Sequence, residues 1–208
     1  MSESGQLVFL DLETAGPDPK RHPIIQLAAI AIDSDTLTEL ASVEIKIRFD
    51  EKKANKYSLR KHAYSRRTWE QEGRPETEAA AEFAAFLRRF ASVSTIGSGG
   101  HEFHLAQLAA HNAGFDGSFL HAWYHRLGVF CPARFQILCT LQRAQWHFFE
   151  HPAADPPVDY KLRTLCKYFG LPLTDAHDAL GDVTATVRLY RAIVAASTPI
   201  DRAVARAA

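Results

Sequence analysis

Residues 7–10, Leu-Val-Phe-Leu, form an unbroken apolar run, the pattern of a strand buried on both faces. Two more apolar stretches follow at residues 24–32 and about 40–49. They are joined through Asp33-Ser34-Asp35, whose short polar side chains suit a turn. The period then changes. Over residues 77–90 the apolar positions Phe83, Phe86, Leu87 and Phe90 recur three and four apart, which predicts an amphipathic helix. Ile96-Gly-Ser-Gly-Gly100 reads as a flexible break, and residues 105–110 as a strand leading into His111-Asn112. A helix over about 116–127, a strand at 134–138 and a helix over about 140–149 come next. The Pro-rich stretch 151–158 reads as a loop, 162–169 as a short helix and 178–196 as the long final helix. Three strands followed by alternating helices and strands predict one α/β domain built on a mixed, five-stranded sheet flanked by helices.

At 208 residues, 47% hydrophobic and 23% charged, the chain suits one domain over 1–208, with a core at about 6–196 and a fraying tail over 197–208. No apolar run approaches the ~20 residues that cross a bilayer, and Met-Ser-Glu-Ser-Gly lacks the basic flank and apolar stretch of a signal peptide. Cys131, Cys139 and Cys166 are odd in number and show no CxxC spacing, so reduced thiols in a cytoplasmic protein are expected. Lys+Arg and Asp+Glu balance at 24 each, which counts against a dedicated binder of long duplexes.

Three blocks carry the candidate chemistry: Asp11-Leu-Glu13-Thr14, His111-Asn-Ala-Gly-Phe-Asp116 and His177-Asp-Ala-Leu-Gly-Asp182. Residues i and i+2 of a strand project from one face, so Asp11 and Glu13 can serve one site while Leu12 points away. A buried strand delivering two acids to one face needs a compensating charge. Asp116 opens a helix after a strand end, where a helix cap is the bland alternative. Gly114 suits a tight turn that brings backbone close to a ligand. His177 and Asp182, five apart, do not align on an ideal helix. They can converge if His177 lies in the loop before the helix, Asp178 caps it and Asp182 lies in its second turn; each acid alone is equally a surface residue.

Taken together, in this order and on these elements, the blocks closely resemble the DEDDh branch of the DnaQ-like 3′–5′ exonucleases, from about Leu7 to Tyr190. The resemblance implies a ribonuclease-H-like fold in which Asp11, Glu13, Asp116 and Asp182 hold two Mg²⁺ or Mn²⁺ ions and His177 is the general base. Oxygen-only ligands independently favour such hard ions over zinc. The implied reaction releases nucleoside 5′-monophosphates from 3′ ends of single-stranded DNA or RNA. Thr14 and the Leu12 backbone would lie beside the terminal nucleotide, with Asn112 and Phe115 as weaker substrate contacts. One departure is visible: Ala15 stands where the family commonly has a second Thr, so a hydrogen bond near the substrate is absent while no metal ligand is lost.

Other signals are weaker. Residues 43–70 hold nine Lys/Arg against four acids, with Tyr57, Tyr64 and Trp69 interleaved. That composition suits either a single-strand track or a solvated basic edge with its aromatics in the core. His121 and His125 are spaced as a helical metal pair but have no third ligand, and His101 and His104 read as loop residues. Two rival functions remain: a non-catalytic nucleic-acid-binding or polymerase-associated proofreading module, and an oligoribonuclease-like RNA-trimming enzyme. A degenerate module would have lost a ligand, and all five are present. With no polymerase, helicase or zinc-knuckle motif beside it, the nuclease is expected to act alone or as a separate subunit; a homodimer or a polymerase partner is an open expectation, and no membrane partner is expected.

Overall fold

The computed structural model describes residues 5–62, 64–152, 154–173 and 178–197. His177 and the expected tail beyond Ser197 therefore lie outside the described residues. The elements in chain order are β1 (Gln6–Thr14), β2 (Ile24–Asp33), β3 (Glu39–Lys46), α1 (Lys56–Leu59), α2 (Arg66–Glu72), α3 (Glu76–Arg89), β4 (Ala91–Ile96), β5 (Glu102–Ala110), α4 (Ala113–Leu127), β6 (Ala133–Cys139), α5 (Thr140–Glu150), α6 (Leu162–Tyr168) and α7 (Ala179–Ala196). A single 3₁₀ turn, Glu51–Lys53, precedes α1.

The sheet is mixed and has six strands rather than five, in the order β3-β2-β1-β5-β4 with β6 also paired to β5. The first three strands form an antiparallel meander. β5 lies parallel to β1 through Leu7–Gln107, Val8–Leu108 and Phe9–Ala109. It pairs with β4 over its first half and with β6 over its second. The additional strand is β4, Ala-Ser-Val-Ser-Thr-Ile, which alternates small and polar residues and offers no apolar run to detect. The Gly-rich segment expected to be a flexible break is the turn of the β4–β5 hairpin. It is closed by Gly97 N–H donating to His101 O at 3.0 Å, with Gly100 in the left-handed region at φ 77°.

Two apolar layers sandwich the sheet. On one face Val8, Leu10 and Leu12 pack with Phe83, Phe86 and Leu87 of α3 and with Phe119, Leu120 and Trp123 of α4. The 3- and 4-residue spacing in α3 thus becomes one buried stripe, as its period requires. On the other face Phe9, Ala28, Ile30, Ile32 and Ala109 meet Ala179, Val183 and Val187 of α7. A third cluster, of Ala144, Phe148, Leu165, Leu189 and Ile193, ties α5 and α6 to the outer side of α7. Trp69 of α2 is buried and its indole N–H donates to Ile25 O at 2.8 Å, which anchors the 50–70 segment to β2.

Helix α4 starts three residues before the expected position. Asn112 takes the left-handed conformation at φ 62°, a residue type that tolerates it, and turns the chain sharply off β5. His111 braces this corner: its Nε2 donates to Tyr160 O at 3.0 Å, and its Nδ1 lies 2.9 Å from Thr140 Oγ1. Burial pushes its pKa down, which keeps the ring neutral in that role.

Because Phe9 is fully buried against α7, with its ring 5.2 Å from that of Tyr190, Phe9→Ala should lower unfolding free energy by about 3–5 kcal/mol. Urea denaturation would measure this, and a loss under about 1 kcal/mol would mean that Phe9 does not hold α7 to the sheet.

Candidate active site

Strand periodicity divides β1 between core and chemistry. Leu10 and Leu12 enter the α3–α4 layer, while Phe9, Asp11 and Glu13 face the opposite side, where α7 packs. The β1–β2 register slips between Glu13 and Thr14: Glu13 pairs with Gln26, but Thr14 pairs with Ile24. A bulge at this point redirects the strand as it leaves the carboxylates.

Asp182 lies in the first turn of α7, one turn earlier than expected. Ligand oxygens of Asp11, Glu13 and Asp182 lie within 4.8 Å of one another. The start of α7 is held in place by Asp178, the N-cap. Its Oδ2 accepts from Gly181 N–H at 3.1 Å, and its Oδ1 accepts from the Gln26 side-chain amide at 2.8 Å. The same Gln26 amide donates to Glu44 at 2.8 Å. Asp116 enters from the first turn of α4, and its Oδ1 accepts from Leu12 N–H at 3.1 Å. It is therefore seated on the backbone of the strand that carries Asp11 and Glu13, not at the helix cap, a position Asn112 occupies.

The electrostatics follow from burying like charges. The Asp11 carboxyl is pushed well above its ordinary value, first by desolvation and then by repulsion from Asp116, Glu13, Asp182 and Asp178. Asp116 is raised to about 7, mainly by desolvation; hydrogen bonds from backbone N–H groups oppose this, and Glu13 adds to it. An oxygen-only cluster of this kind suits hard divalent cations, and its repulsion is relieved when one binds.

A residue that the spacing analysis did not single out also reaches the site. His62, just after α1, contacts Glu13 through Nδ1 and Oε2. Nothing in its spacing signals this; its only sequence mark is a place in the basic 43–70 segment. Thr14 is buried and its hydroxyl donates to Gly16 O at 2.9 Å, while Leu12 buries its side chain in the core. Asn112 is exposed at the α4 corner, and Phe115 packs its ring 4.9 Å from Phe119. Ala15 is fully buried; its N–H donates to Pro23 O at 2.9 Å and its carbonyl accepts from Asn55 N–H at 2.7 Å. His121 and His125 are exposed and stack on one another, with His121 edge-on to Phe135. His104 lies within β5 rather than in a loop.

A layered α/β domain with an acidic cluster at the end of its central strand is the architecture of a nuclease of the ribonuclease-H-like fold. The chain belongs to the RNase T exonuclease family, whose model matches residues 8–95 and 102–190 and breaks at the β4–β5 hairpin. In sequence it is similar to the PolC-type DNA polymerase III of Halalkalibacterium halodurans, 29% identical over 94% of this chain and 12% of that protein. It is also similar to the Bacillus subtilis PolC-type enzyme, 35% identical over 39% of this chain and 5% of that protein. In structure it is similar to E. coli exonuclease I in complex with a dT13 oligonucleotide, at TM-score 0.73, 18% identity and coverage of 95% of this chain and 42% of that one. A moderately thermophilic exonuclease I from Methylocaldum szegediense matches at TM-score 0.71 and 20% identity, over 91% of this chain and 40% of that one. The chain thus spans under half of these solved structures and a small fraction of the polymerases. Among the described residues no helix is long and apolar enough to cross a membrane.

The raised carboxyls set a pH dependence for the metal-free protein. A carboxyl whose folded pKa exceeds its unfolded value stabilises fully below the unfolded value, and that contribution is lost as pH rises through the folded one. In EDTA, the Asp116 contribution should therefore disappear between about pH 4 and about pH 7. Asp116→Asn should flatten the fall in stability across that window. Thermal melts at stepped pH check this, and identical slopes for both proteins would contradict the assigned burial cost.

Proposed function

We propose that the chain removes nucleoside 5′-monophosphates from the 3′ ends of single strands, DNA first, using divalent cations at the acidic cluster. The observation that carries this reading is the convergence of Asp11, Glu13 and Asp182 within 4.8 Å, in a member of an exonuclease family. The relatives support DNA as substrate: two are DNA polymerases III, and a similar solved structure holds an oligothymidylate. The polymerase relatives also favour a replication or repair setting, and the three free cysteines suit the reducing cytoplasm.

Asp11, Glu13, Asp116 and Asp182 would hold two Mg²⁺ or Mn²⁺ ions. Bound there, such ions supply a water of lowered pKa and charge neutralisation at the departing 3′ oxygen. A carboxylate oxygen of Asp11 lies within 4.8 Å of ones from Glu13 and Asp182, and the backbone N–H of Leu12 holds the Asp116 carboxylate beside the strand that carries Asp11 and Glu13. The α7 cap holds Asp182 in register with β1 through Gln26. His177 directly precedes the cap residue Asp178 in the chain. An imidazole there would suit accepting the proton of the attacking water at neutral pH. Thr14 and the Leu12 backbone border the terminal nucleotide, with Asn112 and Phe115 at the entrance to α4.

The test is nucleotide release from 5′-labelled single-stranded DNA and RNA with Mg²⁺, with Mn²⁺ and with EDTA. The expected result is a metal-dependent ladder shortening from the 3′ end, faster on DNA and abolished in Asp11→Ala. His177→Ala should lower kcat by about 10²–10⁴ while leaving metal-induced thermal stabilisation intact. Undiminished turnover in His177→Ala would remove the histidine from the mechanism, and no ladder with folded wild type would overturn the nuclease reading.

A further inference from the structure

The basic 43–70 segment separates, in three dimensions, into a buried part and an exposed part. Trp69 is in the core and Tyr64 is half-buried between the rings of Phe49 and Trp69. Tyr57 differs: it is 67% exposed on α1. Lys61, one helical turn on, places its ammonium 4.5 Å from the centre of the Tyr57 ring. Lys56 and Arg60 are exposed on the neighbouring face, and among the described residues Lys56, Arg60 and Lys61 form no ion pair. From residue 50 to 70 there are seven cations against three acids, and one of those acids, Glu51, is already paired with Arg66. The exposed charge is therefore strongly one-signed in a chain whose net charge is zero.

This ridge is fastened to the acidic site at both ends. At its start, Asn55 N–H donates to Ala15 O at 2.7 Å, one residue beyond Thr14. At its end, His62 contacts Glu13. Positive charge continues past Asn55 into a cavity of about 160 Å³ whose wall includes Lys20, Arg21, Arg48 and Lys53, with Asp50 and Glu76 as its acids. A row of cations beside an exposed aromatic, running into a phosphodiester-cleaving centre, matches a flexible polyanion that has bases to stack.

Resting on the nuclease reading, we propose that α1 and the residues on to Lys61 form the track by which a single strand approaches the site. Tyr57 stacks a base upstream of the scissile bond, and Lys56, Arg60 and Lys61 contact the backbone phosphates. The grip is sequence-tolerant, because every base offers a π-face.

The experiment measures binding of labelled oligothymidylate of about a dozen nucleotides by anisotropy in EDTA, alongside kcat/KM on that length and on a dinucleotide. Tyr57→Ala should weaken oligothymidylate binding by about fivefold or more, while binding of inorganic polyphosphate, which has no bases, changes less. The triple variant Lys56→Gln, Arg60→Gln, Lys61→Gln should lower the slope of log affinity against log salt by about 2. In both variants the kcat/KM advantage of the long substrate over the dinucleotide should shrink. Equal losses on both lengths, an unchanged salt slope, or Tyr57→Ala binding like wild type would each overturn the track. A wild type that binds but releases nothing in Mg²⁺ or Mn²⁺ would overturn the nuclease reading instead, with the track still judged by the anisotropy and salt data.

Discussion

Mutual repulsion among closely packed, partly or fully buried carboxylates is the constraint around which the rest of this molecule is arranged. Asp11 carries the unfavourable field of Asp116, Glu13, Asp182 and Asp178 in addition to its own desolvation. No isolated strand or helix would hold such a group together, because each acid gains by turning to water. The cluster persists because its members belong to elements fixed by other interactions. β1 is held by β2 along its whole length and by β5 on its other edge. α7 is held by an apolar layer on Phe9 and Ile30, and Asp116 is held by a backbone N–H. The hydrophobic effect thus sustains an electrostatic arrangement that is unfavourable by itself, and its stored repulsion would become part of the affinity for any cation bound there.

The division of labour along β1 shows how compact this solution is. Alternate residues of one nine-residue strand build the α3–α4 core and display the acids, and the bulge after Glu13 ends the alternation where the site begins. Gln26, on the adjacent strand, is one of few buried polar groups; it reaches the cap of α7 and so couples the sheet to the helix bearing Asp182. The apolar contacts choose which face α7 covers, and the Gln26–Asp178 hydrogen bond fixes how far along that face its first turn falls.

What could be read from the sequence followed from periodicity and what could not followed from tertiary context. The strong α3 stripe, the apolar β1 and β2 and the long α7 carry signals set by burial, so they were legible. β4 was not, because a short strand of Ala, Ser, Val and Thr gains its identity from pairing with β5 rather than from its own pattern. The α4 start was misplaced because the left-handed turn at Asn112 lets the helix begin directly after the strand. At the site, the period of a strand puts Asp11 and Glu13 on one face, and the fold brings a carboxylate oxygen of Asp182 close to both. His62 could not be placed from a period, since it meets Glu13 through a return of the chain fastened by Asn55 and Trp69, long-range contacts that leave no local trace.

The zero net charge conceals a separation that matters for the chemistry. Acids gather where the β1 end, α4 and α7 meet, and cations gather on the segment that His62 and Asn55 tie to that end. At physiological ionic strength screening acts over about 8 Å, so a distant polymer senses little of either patch, and the neutral total gives no long-range attraction to duplex. Within that range the ridge attracts phosphates, while the clustered acids repel them. If divalent cations occupy the acidic cluster, they would resolve that conflict, and on the proposed path a strand would be held productively when its terminus lies beside Glu13. Local charge placement, not overall charge, would then select a chain end over the interior of a polymer.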